Sequence, residues 1–325
     1  MSIEKKPLVN DLYTADPSAH VFNGKIYIYP SHDEDIDVEN NDNGDQYDMK
    51  DYHVYEMPDT ETYPRDCGCV LKLEDIPWAS KQLWAPDCVE KDGKYYFVFP
   101  ARDKEGFFRI GIATSDKPEG PFKAEPNYIP GSYSIDPCMF PDTDGKYYLT
   151  FGGIWGGQLD QYRNNKWSAD NKEPQGDEEA CTAKIALMKD NLLEMAEEPK
   201  DIMILDENGK PLTGGDEARR YFEDPWMFKK GDTYYFTYST GTTHLLCYAT
   251  SKNVYGPFTY GGVILTPVLG WTTHHSILEF NGKWYLFYHD CERSGGVNQK
   301  RNVKFRELKF NDDGSIQTMD GSLDK

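Results

Sequence analysis

A glycine followed by a run of aromatic residues recurs five times along the chain, and this repeat constrains the fold more than any other feature. The copies are FNGKIYIYP around Gly24, KDGKYYFVFP around Gly93, TDGKYYLTFGG around Gly145, KKGDTYYFTYST around Gly231 and FNGKWYLFYHD around Gly282. Each reads as a β-hairpin: an alternating strand, a tight turn in which glycine accepts a positive φ, and a strand rich in Tyr, Phe and Trp. Five units in 325 residues leave 325/5 = 65 residues each, room for four short strands and generous loops. A supersecondary unit repeated with variable loops is the signature of a radial or stacked array. A second repeat shares the phase, since IATSDKPEGPF at 112–122 and YATSKNVYGPF at 248–258 each begin about 20 residues after a turn glycine. These are expected to be outer strands closed by a Gly-Pro turn. The fold class is all-β, and the predicted architecture is a five-bladed β-propeller.

In a propeller the first strand of every blade faces the central channel. Eight residues before the turn glycine stand Asp16, Ala85, Glu223 and His274; Asp136 stands nine before Gly145, whose turn is one residue longer. With 55 acids in 325 residues, three acids in five slots arise by chance about once in thirty. Their company is apolar and strand-forming, in YTADPSAHVF, YSIDPCMF and YFEDPWMF. A carboxylate desolvated in such a setting needs a partner or a chemical task, and acids of perturbed proton affinity gather at functional sites.

The segments YTADPSAHVFNGKIYIYPSHD, LWAPDCVEKDGKYYF, SIDPCMFPDTDGKYYL, FEDPWMFKKGDTYYFTYST and WTTHHSILEFNGKWYLFYHD together resemble glycoside hydrolase family 43. That family comprises inverting five-bladed propeller enzymes of xylan and arabinan breakdown, and the likeness is greatest to its α-L-arabinofuranosidases and β-xylosidases. The resemblance covers nearly the whole chain in order. ADPSAH departs from the Asn-Asp-Pro-Asn block of the related invertase-like propellers. It implies that Asp16 is the general base, Glu223 the general acid, and Asp136 a third acid that tunes Glu223 and orients the sugar. It also implies that Arg301 reaches the substrate, and that His274 helps hold a metal ion, often calcium, in the channel behind the site. Inverting hydrolysis needs one ionised carboxylate to activate water and one protonated carboxyl to protonate the leaving oxygen, about 6.5–9.5 Å apart. A neighbouring negative charge and partial desolvation both favour the protonated form of Glu223. Asp224 stands where similar sequences carry a small residue, and strand alternation directs it to the face opposite Glu223.

The repeat register leaves no linker, so residues 1–325 are read as one domain. The formal charge of −20 argues against nucleic acid or anionic membrane as a partner, whereas a neutral pentose-containing oligosaccharide is indifferent to it. MSIEKKPLVND has no apolar run behind its lysines, which points to a cytoplasmic enzyme acting on short imported oligosaccharides. Seven irregularly spaced cysteines read as packing residues in a reducing compartment.

The acidic stretch 33–51 is a solvated insertion that could wall the pocket. It fails as an EF-hand, because Lys50 stands where the bidentate glutamate belongs. Trp84 offers an apolar platform for a sugar, although core packing explains it equally well. Asp87 lies off the shared slot and is not expected to be catalytic. Residues 183–205 are expected as strands flanking a turn at Asp190-Asn191, and residues 206–220 as a polar loop at the pocket rim. The activity expected is exo-acting removal of terminal pentose, α-L-arabinofuranosyl first and β-D-xylosyl close behind or shared. The alternatives are an endo-arabinanase and a non-catalytic binding propeller.

Overall fold

The computed structural model describes residues 2–36 and 38–324. Each of the five glycine-aromatic units is an antiparallel hairpin, and each starts one blade. Blade one runs β1 (Tyr13–Phe22), β2 (Lys25–Asp33), β3 (Asp51–Met57) and β4 (Arg65–Lys72) from the axis outward. Blade two is built on β5 (Ala79–Lys81), β6 (Asp87–Lys91), β7 (Lys94–Asp103), β8 (Phe108–Ser115) and β9 (Lys123–Ala124). Blade three joins β10 (Cys138–Pro141) and β11 (Tyr147–Phe151) to β14 (Lys184–Leu187) and β15 (Lys200–Asp201). A small hairpin, β12 (Tyr162–Arg163) and β13 (Lys166–Trp167), branches from it. Blade four orders β17 (Glu223–Lys230), β18 (Thr233–Ser239), β19 (Leu246–Ser251) and β20 (Phe258–Leu265), with β16 (Ile204–Leu205) added in parallel outside. Blade five is β21 (His275–Phe280), β22 (Lys283–Asp290) and β23 (Asn302–Leu308).

The N-terminal segment completes blade five. Lys5 and Leu8 donate their backbone N–H groups to the carbonyls of Phe305 and Val303 on β23, at 3.0 and 2.9 Å. Ile3, Leu8 and Val9 are buried there with Phe280, Phe287 and Phe305, so the chain's start is fastened to its last strand. The ring closes before β1 begins. Between the other blades lie apolar layers such as Tyr29, Tyr52, Phe97 and Phe99 between blades one and two, and Trp226, Tyr235 and Leu286 between blades four and five. The aromatic strands of the repeat are therefore the inter-blade core.

All five turn glycines have positive φ, and open space lies where a Cβ would be, so backbone conformation rather than crowding selects glycine. In blades one, two and five the glycine is the second turn residue, after Asn23, Asp92 and Asn281, each also at positive φ. Blade four differs. Its turn is Gly231-Asp232, with the glycine first, and counting back from it lands one residue early.

The segments IATS and YATS lie on β8 and β19, the third of four strands rather than the outermost, and the Gly-Pro turns lead into the fourth. Residues 183–205 form β14, a turn over 190–194, β15 and β16, without helix. All seven cysteines are free; five are buried, Cys67 is half-buried and Cys69 is exposed, which departs from the packing role expected of it.

Candidate active site

Asp16, Ala85, Asp136, Glu223 and His274 all line one cavity of about 280 Å3 at the end of the channel. This is near the lower end of the roughly 300–1,000 Å3 typical of small-molecule sites. The local device that aims the acids is an Asp-Pro bulge. In β1, Ala15 pairs with Ser31 and Ser18 with Tyr29, leaving Asp16-Pro17 as the irregularity. In β17, Glu223 pairs with Ser239 and Trp226 with Thr237, leaving Asp224-Pro225. Asp16, Asp136 and Asp224 each precede a proline, with φ of +50°, +56° and +64°. Such left-handed residues are tolerated best by Asp and Asn and cost of order 1–3 kcal/mol where held.

The true equivalent of Asp16 in blade four is therefore Asp224, and Glu223 sits one position earlier. Glu223 still lines the cavity. Asp224 does not line it, yet simple alternation does not describe its place either. The bulge turns it beneath the cavity, where it is buried and accepts the backbone N–H of His275 at 2.9 Å. The Nδ1 of His275 also contacts it, and His274 Nε2 lies 2.9 Å from its other oxygen. The Asp224 N–H in turn donates to Asp136 at 3.0 Å. His275 stays off the cavity, with Nε2 2.6 Å from Thr237 Oγ1.

Asp16 is held by two donors. Arg301 Nη1 reaches its Oδ1 at 3.0 Å and the Ser31 hydroxyl reaches its Oδ2. Arg301 is itself gripped by Asp33 in a bidentate pair, Nε to Oδ2 at 2.8 Å and Nη2 to Oδ1 at 2.7 Å. It also lies over the Tyr47 ring at 4.8 Å. Burial alone would raise the proton affinity of Asp16, but the Arg301 guanidinium and the contacts of His289 and His274 together outweigh it and hold the carboxyl well below the usual range. Glu223 experiences the reverse. Burial, and then the charge of Asp16, push it up to about 8 against the partial relief of Arg301. Asp136 is also raised well above the usual range, by burial first and then by Glu223 and Asp16. The charge that raises Glu223 is thus that of Asp16 rather than that of Asp136, which shares its high proton affinity.

His274 is kept neutral by burial, its pKa lowered to about 3 although Asp16 opposes the shift. With Nε2 donating to Asp224, Nδ1 presents a lone pair 3.6 Å from Asp16 Oδ1. Calcium takes ligands at about 2.3–2.6 Å, so two atoms at this separation can share one ion. The chain itself offers an ion here one imidazole nitrogen, His274 Nδ1, beside one carboxylate oxygen, so most of the oxygen shell that calcium prefers would have to come from water.

The insertion between β2 and β3 does wall the cavity, through Asn40, Asn41, Asp42, Gly44, Gln46, Tyr47 and Met49. Trp84 lines it too, fixed by its Nε1–H to the Tyr47 carbonyl at 2.8 Å. Asp87 is a structural tie. It is fully buried, off the cavity, and binds His20 of blade one at 2.6 Å and the Met139 N–H of blade three at 2.6 Å. Residues 206–220 contribute nothing to the cavity lining, contrary to the rim position expected. They stand behind it: Arg220 pairs with Glu173 at 2.8 Å, and Glu173 accepts the indole N–H of Trp155 at 2.8 Å.

Trp155 and Trp271, stacked with ring centres 5.4 Å apart, form an aromatic wall with Phe222 that the sequence reading missed. Trp155 opens a single 3-10 turn and Trp271 lies in a loop, neither with a readable periodicity, and the only signal was composition, as in IWGG and GWTTHH.

An ionised and a protonated carboxyl facing an aromatic-walled pocket in a propeller channel define a glycosidase of the acid–base type. The family model of glycosyl hydrolases family 43 matches residues 5–316, and the chain belongs to that family. It is 58% identical over 322 residues to a xylosidase/arabinosidase of Bacteroides ovatus, covering 99% of each chain. It is 53% identical over 309 residues to a β-xylosidase of Xylanibacter ruminicola, covering 94% of this chain and 97% of the relative. Among solved structures it is similar to a β-xylosidase/α-arabinofuranosidase from a compost microbial metagenome, in complex with xylotriose and calcium-free. That match has a TM-score of 0.97 at 56% identity over 99% of this chain and 98% of the other.

Proposed function

We propose that this glycoside hydrolase removes terminal α-L-arabinofuranosyl and β-D-xylosyl residues, with inversion, from short xylan- or arabinan-derived oligosaccharides. The observation that carries the reading is the opposed proton affinity of Asp16 and Glu223 in one cavity. Ionised Asp16 takes a proton from the attacking water. Glu223, protonated at neutral pH, gives its proton to the departing glycosidic oxygen. Asp136 is a positioning and proton-holding group beside Glu223. Arg301 keeps Asp16 ionised and lines the cavity, within reach of a sugar hydroxyl. Exo action is supported by the small cavity, walled on one side by the 34–50 insertion and on another by Trp155 and Trp271. A xylosidase/arabinosidase relative that matches end to end supports the pentose.

A calcium ion at His274 belongs to the same proposal. It would be held by His274 Nδ1 and water beside Asp16, and would supply positive charge to a channel in which Arg301 is paired with Asp16 and Asp33, while the buried Asp136 and Asp224 and the cavity-lining Glu223 lack it as a bonded partner. A cytoplasmic location, with short imported oligosaccharides as substrate, also remains part of the reading.

The test is release of 4-nitrophenol from the α-L-arabinofuranoside and the β-D-xyloside, by wild type and Glu223→Ala in parallel. Hydrolysis lost in the variant supports the assignment, and the ratio of rates ranks the two pentoses. Inactivity on both, with cleavage of linear arabinan into oligomers, would replace the exo reading by an endo one.

A further inference from the structure

Outside the channel, His32, Asp51 and His53 meet on blade one, with one potential ligand atom of each within 4.8 Å of the others. Among the described residues this is the one group of three so placed. His32 Nδ1 lies 2.6 Å from Asp51 Oδ1, and the two imidazoles meet edge to face with centres 5.6 Å apart. A separate contact prepares the second histidine. His53 Nδ1 faces the Asp66 carboxylate at 3.1 and 3.3 Å, so its proton sits on that side and Nε2 keeps the lone pair. A carboxylate behind a histidine fixes the tautomer and raises ligand basicity in metal centres. The side chains are 16% (His32), 27% (Asp51) and 17% (His53) exposed, so an ion can enter from solvent.

We propose that His32, Asp51 and His53 bind a zinc-class divalent cation, distinct from the channel ion at His274. Two imidazoles and one carboxylate are a borderline donor set that suits zinc, cobalt or nickel, with a fourth position left to water. Calcium, which seeks an oxygen cage, is a poor match. The location gives the site a consequence. His32 and Asp51 stand at the two ends of the insertion 34–50, whose Asn41, Gln46 and Tyr47 line the cavity. The neighbours of His32 are Ser31, which donates to Asp16, and Asp33, which grips Arg301. An ion here clamps the two feet of the pocket loop and steadies the strand end that supports Asp16.

Zinc would be titrated into the metal-stripped full-length protein against a chromogenic chelator, for wild type, His53→Ala, Asp66→Asn and His274→Ala. The expected result is one zinc ion in wild type that excess calcium does not displace. Its affinity falls at least tenfold in His53→Ala and about 10–100-fold in Asp66→Asn, and is unchanged in His274→Ala. Zinc also raises the unfolding temperature of wild type but not that of His53→Ala, whose glycosidase activity reports that it folds. Should His53→Ala fail to fold, Asp66→Asn decides, because Asp66 is exposed. Failure of wild type to take zinc from the chelator would overturn the proposal, as would equal affinity in the variants that fold. Binding that His274→Ala removes, or that calcium displaces, would also overturn it by placing the ion in the channel.

Discussion

Asp16 and Glu223 share one cavity but not one fate, because Arg301 touches the first and only partly relieves the second. This gives kcat/KM a defined pH dependence: it falls as pH rises through about 8, where Glu223 loses its proton, while the acid limb lies below the usual carboxylate range. Glu223→Gln should cut kcat by about 10²–10⁴-fold and remove the alkaline limb. The same group acts on stability with a definite sign. Its folded pKa of about 8 exceeds the ordinary 4.5, so the native state binds the extra proton and stability declines as pH rises from 4.5 to 8. Glu223→Gln should therefore melt at a higher temperature than wild type at pH 8, and should show less advantage near pH 4.

Arg301→Ala leaves Asp16 and Asp33 as buried anions without their cation. Denaturant unfolding should show a loss of about 3–5 kcal/mol, and the acid limb of the rate profile should move upward. At this scale Asp16, Asp136 and Glu223 were legible because the repeat put acids near the channel. The place of Asp224 was not, since a bulge with a left-handed aspartate breaks the two-residue period on which alternation rests. Its signal was the dipeptide Asp-Pro, present at 16–17, 136–137 and 224–225. The Asp33 partner of Arg301 was invisible, because nearly the whole chain separates the two.

At the scale of elements, the hairpins were readable from turn chemistry and aromatic runs, while the loops that complete the cavity were not. The segment 152–157 shows why. Gly153 packs so closely that a Cβ would lie 2.6 Å from Ile135 Cδ1 and 3.2 Å from Glu223 Cβ. Its glycine is a matter of tertiary contact, which no local pattern announces. Gly153→Ala should displace the Glu223 side chain and lower kcat by an order of magnitude or more, since small misplacement of an acid is costly. Circular dichroism should remain that of the wild type. The rim expectation for 206–220 failed for a related reason: sequence adjacency to Glu223 did not put the loop beside the cavity, because the chain passes behind Glu173 first.

Across the whole molecule, the number of blades followed from five repeats, but the closure of the ring did not. Residues 3–9 carry no strand pattern of their own and gain their place by tertiary contact, through hydrogen bonds to β23 and apolar burial against it. Burial of Ile3, Leu8 and Val9 contributes about 1.5–3 kcal/mol each. Deleting residues 2–9 should lower the melting temperature markedly, and hydrogen exchange should show β23 opening first.

The central claim is that Asp16 activates water on one face of the sugar while Glu223 protonates the leaving group on the other. Proton NMR of the sugar first released from an aryl β-D-xyloside tests it most directly. The account predicts α-xylose before mutarotation, the product of a single inversion. β-Xylose appearing first would require a covalent intermediate on one of the carboxylates and would contradict the assignment.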